Sequence, residues 1–183
     1  MSSPQTGKTQ HSPDADRDQS DTEDESELLT IGWREWVSLP ELGLPAIKAK
    51  VDTGARTSAI HASNIERFKH ASGDDWVSFI VMPIQRVTNV TRQCEAPLVD
   101  IRKVTDSGGH SEERFFISTT LGVGDQSRVV EITLAQRTDM LFRMLLGRTT
   151  LVPGIVVNPQ RSYSLGRLNA RSIYGRDVVE NGK

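Results

Sequence analysis

One carboxylate in this sequence directly follows a strand-like segment and precedes a tight turn. The segment Ile47–Ala62 reads IKAKVDTGARTSAIHA, and its apolar and basic residues alternate up to Val51, which is the pattern of a half-buried strand. Asp52 is therefore predicted to lie at a strand end. Thr53 can brace the turn by hydrogen bonding, and Gly54 allows another backbone segment to approach closely. A carboxylate held this rigidly is suited to proton transfer.

Proton transfer of this kind is most effective when a second carboxylate takes part in it. Two close carboxylates cannot both ionise, so one keeps its proton while the other accepts a proton from water. One candidate for the second carboxylate is Asp106, in the segment TDSGGH of the same chain. The structural alternatives are that Asp52 is an ordinary turn-forming acid and that Asp106 belongs to a hairpin turn.

Short alternating segments separated by turn residues run along most of the chain. No internal repeat and no long helical period are present, so the sequence predicts an all-β fold of roughly seven to nine short strands, closed as a small barrel or sandwich. A helical turn beginning at Ser63 and a loop or edge hairpin over residues 84–96 are predicted between strands. The predicted strands are Ile31–Pro40, Ala46–Val51, Thr57–His61, Trp76–Pro83, Leu98–Val104, Glu113–Val123, Arg128–Gln136 and Gly154–Pro159, with an extended segment that breaks at Gly147.

The two ends of the chain differ in composition from the middle. Residues 1–29 hold eight acids and two bases, and almost no large apolar side chain precedes Leu28. Residues 1–28 are therefore predicted to be a disordered acidic tail. The β domain is predicted over residues 29–168, and the polar segment 169–183 is predicted to be a loose C-terminal tail.

Cysteine usage and hydropathy restrict the location and the partners. The single cysteine, Cys94, cannot form a disulfide within one chain and fits a reducing compartment, so a cytoplasmic location is predicted. No run of about 18 apolar residues exists, so no membrane span is predicted. The basic residues are interspersed with acids, and no stacking aromatic residues cluster among them in the sequence, so nucleic acid is not a predicted partner.

Two motifs resemble those of aspartic peptidases. VDTGA at Val51–Ala55 resembles the catalytic tripeptide with its apolar neighbours, and MLLGRTTL at Met144–Leu151 resembles the Gly-Arg segment of retropepsins. From about residue 30 to 167, through VTDSGGHSEERFF to RSYSLGR, the chain resembles a bacterial retropepsin-like family. That family often carries the label "ATP-dependent zinc protease" and is associated with ATP-grasp glutamate ligases. The resemblance implies a single-lobe acid-protease barrel with an enlarged flap region, in which the turn at Asp106 would form the flap tip. It also implies a homodimer in which Asp52 of another chain is the second carboxylate.

The resemblance also implies roles for individual residues. The implied catalytic residues are Asp52, Thr53 and Gly54, the implied substrate-binding residues are Ala55, Arg56, Ser107, Gly108 and Gly109, and the implied supporting residues are Gly147 and Arg148. In retropepsins an acid that pairs with this arginine commonly follows the tripeptide, whereas Arg56 and Thr57 stand there in this sequence. We therefore expect Arg148 to pair with Asp100 or Glu131.

The zinc of the family label has no counterpart among the motifs of this sequence. It contains no H-E-x-x-H segment, and His61, His70, His110 and Cys94 lack the spacing of metal ligands. Neither a metal nor another cofactor is predicted.

Together these features predict an aspartic-type endopeptidase that uses a shared-proton Asp pair and an activated water. Its predicted partner is a peptide or protein substrate, and the implied task is to trim acidic or glutamate-extended tails. Residues 30–183 hold 20 bases and 16 acids, which is compatible with an acidic substrate. Two alternatives are a non-catalytic module of the same fold that captures an extended peptide as an added strand, and a metal-dependent hydrolase.

Overall fold

The computed structural model describes residues 28–105, 109, 111–136 and 141–178. Residues 1–28, predicted as an acidic tail, therefore lie outside the described part except for Leu28. In these ranges the strands are β1 (Leu29–Gly32), β2 (Arg34–Leu39), β3 (Leu44–Val51), β4 (Ser58–His61), β5 (Ser63–Lys69), β6 (Asp75–Val81), β7 (Arg92–Thr105), β8 (Ser111–Val123), β9 (Gln126–Ala135), β10 (Met144–Leu146) and β11 (Ile155–Asn158). The helices are α1 (Arg148–Leu151) and α2 (Ala170–Val178), and a single 3-10 turn spans Pro40–Leu42. Within the described ranges, neither α1 nor α2 has the length and apolar character that a membrane span needs.

Most strands belong to one sheet that closes on itself. The strand order is β2-β3-β10-β4-β9-β8-β7-β6-β5, and a further pairing of Ser38 in β2 with Gly122 in β8 joins the first strand to the sixth. A Cβ atom on Gly122 would lie 2.4 Å from Ser38 Oγ, so the absence of a side chain allows this close approach. The all-β prediction and its closed barrel are confirmed, and β7, β6 and β5 extend the sheet beyond the ring.

The alternation that predicts β3 also determines which of its side chains are buried. Ile47, Ala49 and Val51 are buried, while Lys48 is half-buried and Lys50 is exposed. Burying an aliphatic side chain of this size contributes roughly 1.5–3 kcal/mol. The largest fully buried side chains include Ile31, Leu39, Ile47, Ile60, Phe79, Ile117, Leu121, Ile132, Leu134 and Met144. All of them except Ile31 and Phe79 come from the ring, and each of its six strands contributes at least one.

A buried carboxylate ties the segment after β11 to β2. Glu35 is fully buried, and its Oε1 accepts hydrogen bonds from the backbone N–H groups of Gly32 and Ser164, both at 2.7 Å. Its Oε2 accepts a longer one from the Leu165 N–H at 3.4 Å. The Tyr163 N–H donates to the Arg34 carbonyl oxygen at 2.8 Å, so this segment lies directly along β2.

Two local predictions are corrected by the structure. The helical turn predicted at Ser63 is wrong, because β5 begins there and pairs antiparallel with β6 through Lys69. Within residues 84–96, strand β7 begins at Arg92 and its first residues pair with β6. In both places the hydrogen bonds to β6 outweigh a weak local preference.

The predicted loose C-terminal tail is also wrong where α2 forms. Tyr174 of α2 is fully buried, and its hydroxyl group donates to the Ala46 carbonyl oxygen at 2.7 Å and accepts from the Ala46 N–H at 3.3 Å. Ala46 lies beside the irregular pairing of β2 with β3, where these backbone groups point away from the ladder. The tyrosine therefore satisfies a backbone position that the sheet leaves open.

We expect Tyr174→Phe to lower the free energy of unfolding by about 1–3 kcal/mol, because it leaves two buried backbone groups of Ala46 without a partner. Urea denaturation measures this change. Tyr163→Phe is the matched control, since the Tyr163 hydroxyl has no hydrogen bond to any described residue. Equal losses for the two variants would contradict the assignment of α2 as a stabilising element.

Candidate active site

Asp52 lies at an edge of the barrel where two parallel strands end. It directly follows β3, and its backbone N–H donates to the carbonyl oxygen of Leu146, the last residue of β10, at 2.9 Å. Its Oδ1 accepts hydrogen bonds from the backbone N–H groups of Gly54 at 3.1 Å and Ala55 at 3.2 Å. Asp52 is half-buried, and its Oδ2 has no hydrogen-bond partner among the described residues. One oxygen therefore fixes the carboxylate and the other is available for chemistry.

The Arg148 side chain braces the loop that carries Asp52. Its Nη1 donates to the carbonyl oxygens of Thr53 at 2.8 Å and Gly54 at 2.9 Å. Thr53 and Gly54 are exposed at the loop surface, so this contact restrains a segment that the core does not cover. Arg148 is thus in contact with the loop of Asp52, and its supporting role in catalysis stays a prediction.

The expected acidic partners of Arg148 are wrong. Asp100 and Glu131 both pair with Arg102, at 2.6 Å and 2.8 Å. Arg102 extends from β7 between these two carboxylates, and their hydrogen bonds raise the pKa of its guanidinium group. Arg148 instead meets backbone carbonyl groups, which accept its hydrogen bonds without a carboxylate.

Gly147 allows two backbone segments to lie in direct contact. A Cβ atom there would lie 2.5 Å from the carbonyl carbon of Thr57 and 2.7 Å from the Arg56 oxygen. The backbone of Gly147 has φ −82° and ψ 170°, so the requirement for glycine comes from the close contact and not from its dihedral angles. The following N–H groups of Arg148 and Thr149 donate to the carbonyl oxygens of Ala55 and Arg56, both at 3.0 Å.

A buried pair of hydroxyl groups completes this junction, and the sequence analysis missed it. Ser58 Oγ accepts a hydrogen bond from the Gly147 N–H at 3.0 Å and lies 2.6 Å from Thr150 Oγ1. Ser58 is fully buried and Thr150 nearly so. The available signal was a serine directly before the apolar pair Ala59–Ile60 of strand β4, since a buried hydroxyl group needs a polar partner.

A cleft of about 480 Å³ opens beside Asp52. Among the described residues that line it, Asp52 supplies the one carboxylate. Thr133 lies in the wall, and its buried hydroxyl group has no hydrogen-bond partner among the described residues. The other lining residues are Gly54, Ala55, Arg56, Thr57, Ala59, Val104, Thr105, Arg114, Phe116, Ala135 and Leu145.

The flap predicted from the sequence lies at the end of the β7–β8 hairpin. Paired positions run as far as Thr105 with Ser111, and Thr105 lines the cleft. Gly109 is exposed with φ +84°, a left-handed conformation that favours glycine. Ser107, Gly108, Asp106 and His110 lie outside the described residues. The last paired residues of this hairpin therefore lie next to the cleft, and the flap role of Ser107–Gly109 stays a prediction.

A second cavity of about 450 Å³ adjoins the cleft and makes this surface basic. The two cavities share Arg56 and Val104, and the second also contains Arg102 and Lys103. Arg56 and Lys103 are exposed, and neither forms an ion pair with a described residue. Glu131 also lines it but is held by Arg102.

Two titratable side chains outside the cleft, His61 and Cys94, are buried in the protein interior. Burial lowers the pKa of His61, with a smaller contribution from the charge of Arg143, so its imidazole group favours the neutral form. Burial raises the pKa of the Cys94 thiol to about 12, and Cys94 Sγ donates to the Leu42 carbonyl oxygen at 3.3 Å. Across the described ranges, no group of three or more His, Cys, Asp or Glu residues lies close enough together to hold a metal ion.

A closed β-ring that presents an Asp-Thr-Gly loop at its edge, braced by a Gly-Arg turn, defines one lobe of the aspartic-peptidase class. A sequence profile described as "Retropepsin-like aspartic endopeptidase RimB" matches residues 30–167. The chain belongs to this RimB-like family, and the resemblance noted in the sequence is confirmed.

Similar proteins fall into two groups. Two curated relatives are each called "Probable alpha-L-glutamate ligase": one from Shewanella pealeana is 45% identical over 79% of this chain, and one from Desulfotalea psychrophila is 43% identical over 83%. The chain spans about a third of their length, 32% and 33%. The crystal structure of Lpg0085, a Legionella pneumophila protein of unknown function, has a TM-score of 0.63 at 25% identity, covering 74% of this chain and 97% of that one.

We expect Gly147→Ala to lower the free energy of unfolding by about 1–3 kcal/mol, because its Cβ atom would overlap the backbone at Thr57. Gly175→Ala is the control: a Cβ atom there meets nothing within 4 Å, so this helical substitution should be neutral or stabilising by about 0.5–1 kcal/mol. Urea denaturation compares both variants with the native chain. Native-like stability of Gly147→Ala would show that the two segments can separate without cost.

Proposed function

We propose that this protein is an aspartic-type endopeptidase that trims acidic or glutamate-extended peptide tails. The observation that carries the proposal is the state of the Asp52 carboxylate. Two backbone N–H groups hold one of its oxygens, and the other is without a partner among the described residues at the edge of the cleft. Membership of the RimB-like family supports the reaction class.

The proposed reaction uses two aspartates that share one proton. The ionised carboxylate takes a proton from a water molecule while the water oxygen bonds to the peptide carbonyl carbon. The protonated carboxyl group gives its proton to the carbonyl oxygen, and a neutral tetrahedral intermediate forms. The carbon–nitrogen bond then breaks, the amine leaves with the proton taken from water, and the hydroxyl proton returns to the aspartate pair.

The second carboxylate is proposed to come from Asp52 of another copy. The described part of the chain places a single carboxylate in the cleft, so one chain without residues 106–108 lacks half of the pair. A two-fold axis beside Asp52 would bring the same surface of each copy together and supply the missing group. The cytoplasmic location also belongs to the proposal, and it is supported by the single buried thiol of Cys94.

The choice of an acidic substrate rests on charge and on the names of the relatives. Arg56 and Lys103 lie exposed in the two adjoining cavities and can pair with substrate carboxylates. The relatives that contain a similar segment are named as glutamate ligases, and such an enzyme would produce a glutamate-extended peptide. A peptidase of this specificity would remove what a glutamate ligase adds.

We expect Asp52→Asn to reduce cleavage of a glutamate-extended peptide by at least about a thousandfold, because a carboxamide cannot accept the proton from water. Its Oδ1 can still accept both loop hydrogen bonds, so the variant should unfold at the native temperature. Asp125→Asn, in the exposed β8–β9 turn, makes the same chemical change away from the cleft and should leave the rate unchanged. Peptide-cleavage rates and melting temperatures are the readouts.

Three other results would contradict this assignment. Cleavage by Asp52→Asn at the native rate would remove Asp52 from the chemistry. Loss of native activity on adding a chelator would favour a metal-dependent hydrolase. Equal binding of the peptide by native and Asp52→Asn protein, with cleavage by neither, would favour a peptide-binding module.

Mixing experiments test the source of the second carboxylate. We expect about a tenfold excess of Asp52→Asn protein to suppress native activity, because most native chains then pair with a copy that lacks the carboxylate. The same excess of Asp106→Asn protein should not suppress it. If Asp52→Asn has no effect in the mixture and Asp106→Asn alone is inactive, both carboxylates come from one chain.

A further inference from the structure

Five basic side chains surround three connected cavities that share no lining residue with the candidate active site. The cavities have volumes of about 250, 370 and 300 Å³ and meet at Lys48 on β3. We call this surface the cationic groove and define it by Arg34, Lys48, Arg86, Arg167 and Arg171. The groove lies on one side of β2 and β3. The segment after β11 and the start of α2 border it on that side.

Aromatic rings hold three of these cations close together. The Arg34 guanidinium group lies 4.4 Å from the centre of the Trp33 ring and 4.9 Å from that of Tyr163. Lys48 Nζ lies 5.0 Å from the Trp36 ring, and the Arg167 guanidinium group lies 5.0 Å from the Tyr163 ring. These are cation–π distances, so the positions of the charges are defined by packing and not by free side chains.

The backbone at Tyr163 supports this arrangement at some cost. Tyr163 has φ +57°, which is rare for a bulky residue. Its N–H group bonds to the Arg34 carbonyl oxygen, and Glu35 holds the next two N–H groups. The buried carboxylate of Glu35 therefore fixes the turn that places the Tyr163 ring between the arginines.

The positive charges of the groove have no counter-charge in the described part of the chain. None of the five cations forms an ion pair there, and no carboxylate lines the three cavities. Arg34 Nε is buried and has no hydrogen-bond partner among the residues that the structure describes. Burial, followed by the charges of Arg34 and Arg167, lowers the pKa of Lys48. A bound anion would relieve this repulsion and accept the unused hydrogen bonds.

We propose that the cationic groove binds a carboxylate-rich peptide. Five cations spread over three joined cavities fit a row of anionic groups better than one small anion. The chain itself contains such a row, since all eight acids of residues 1–29 lie between Asp14 and Glu27, shortly before β1. A glutamate-extended substrate has the same chemistry, and this second source rests on the proposed function.

Nucleic acid is the main competing ligand for the cationic groove. The fold brings cations and aromatic rings together here, although they do not cluster in the sequence. Bases bind such surfaces by stacking on open ring faces. The Tyr163 ring already has Arg34, Lys48 and Arg167 within 6 Å of its centre, at 4.9, 5.8 and 5.0 Å. Its faces are occupied by side chains, which favours pairing with carboxylates over base stacking.

Binding of fluorescein-labelled octaglutamate to the full-length Asp52→Asn chain tests the proposal by fluorescence anisotropy. We expect the added double change Lys48→Gln/Arg167→Gln to weaken binding about tenfold. The matched control Arg67→Gln/Lys69→Gln removes the same charge from β5, outside the groove, and should change the affinity by less than about twofold. The exchange Lys48→Arg/Arg167→Lys keeps both charges and should retain binding.

Equal effects of the two neutralising pairs would overturn the proposal, since net charge alone would then explain binding. Tighter binding of a labelled oligothymidine than of octaglutamate, lost in Lys48→Gln/Arg167→Gln, would also overturn it. The assay does not require turnover, so it tests binding at the groove even if the native protein cleaves no peptide. Where the native protein does cleave, the groove variant should raise KM with kcat unchanged.

A variant with all eight N-terminal acids changed to their amides separates the two sources of ligand. If it binds octaglutamate more tightly than the Asp52→Asn chain does, the chain's own acidic segment competes for the groove. Equal affinity of the two proteins assigns the groove to a separate peptide. Either result supports a carboxylate-rich ligand, and failure of both proteins to bind overturns it.

Discussion

Direct contact between two backbone segments, at Gly147 and at Arg56–Thr57, holds the candidate active site together. No side-chain packing separates these segments, and the hydrogen bonds of Arg148, Thr149 and Ser58 all depend on that closeness. The loop of Asp52 is exposed, so the core cannot fix it. A carboxylate that must meet a partner within hydrogen-bond reach needs this kind of rigid support.

The closed ring supplies the fixed frame for that junction. β3 and β10 run parallel and end together, which places Asp52 next to Leu146 and leads straight into the Gly147 turn. Ring closure at Ser38 and Gly122 prevents the first and sixth strands from moving apart. The candidate site is thus assembled from stretches of sequence that lie far apart in the chain, and the barrel determines their relative positions.

The sequence predicted what depends on short motifs and alternation, and it missed what depends on long-range contacts. VDTGA and MLLGRTTL predicted the two segments that meet at the candidate site, and alternating apolar residues predicted most strands. The predicted partners of Arg148 were wrong, because backbone carbonyl groups accept its hydrogen bonds in place of a carboxylate. Every residue has a backbone carbonyl group, so the sequence does not indicate which ones Arg148 contacts. The sequence did not predict α2, because a single buried tyrosine anchors an otherwise polar segment. It did not predict the cationic groove, because the residues of the groove lie far apart in the chain.

Strand β3 carries both Lys48, where the groove cavities meet, and the turn into Asp52. Four residues of an extended strand span about 13 Å, and a hydrogen-bonded ladder on both sides leaves no hinge between the two positions. The distance between the groove and the turn into Asp52 is therefore fixed. A tail that occupies both surfaces at once must be at least about four residues long, so shorter stubs would bind at one surface only.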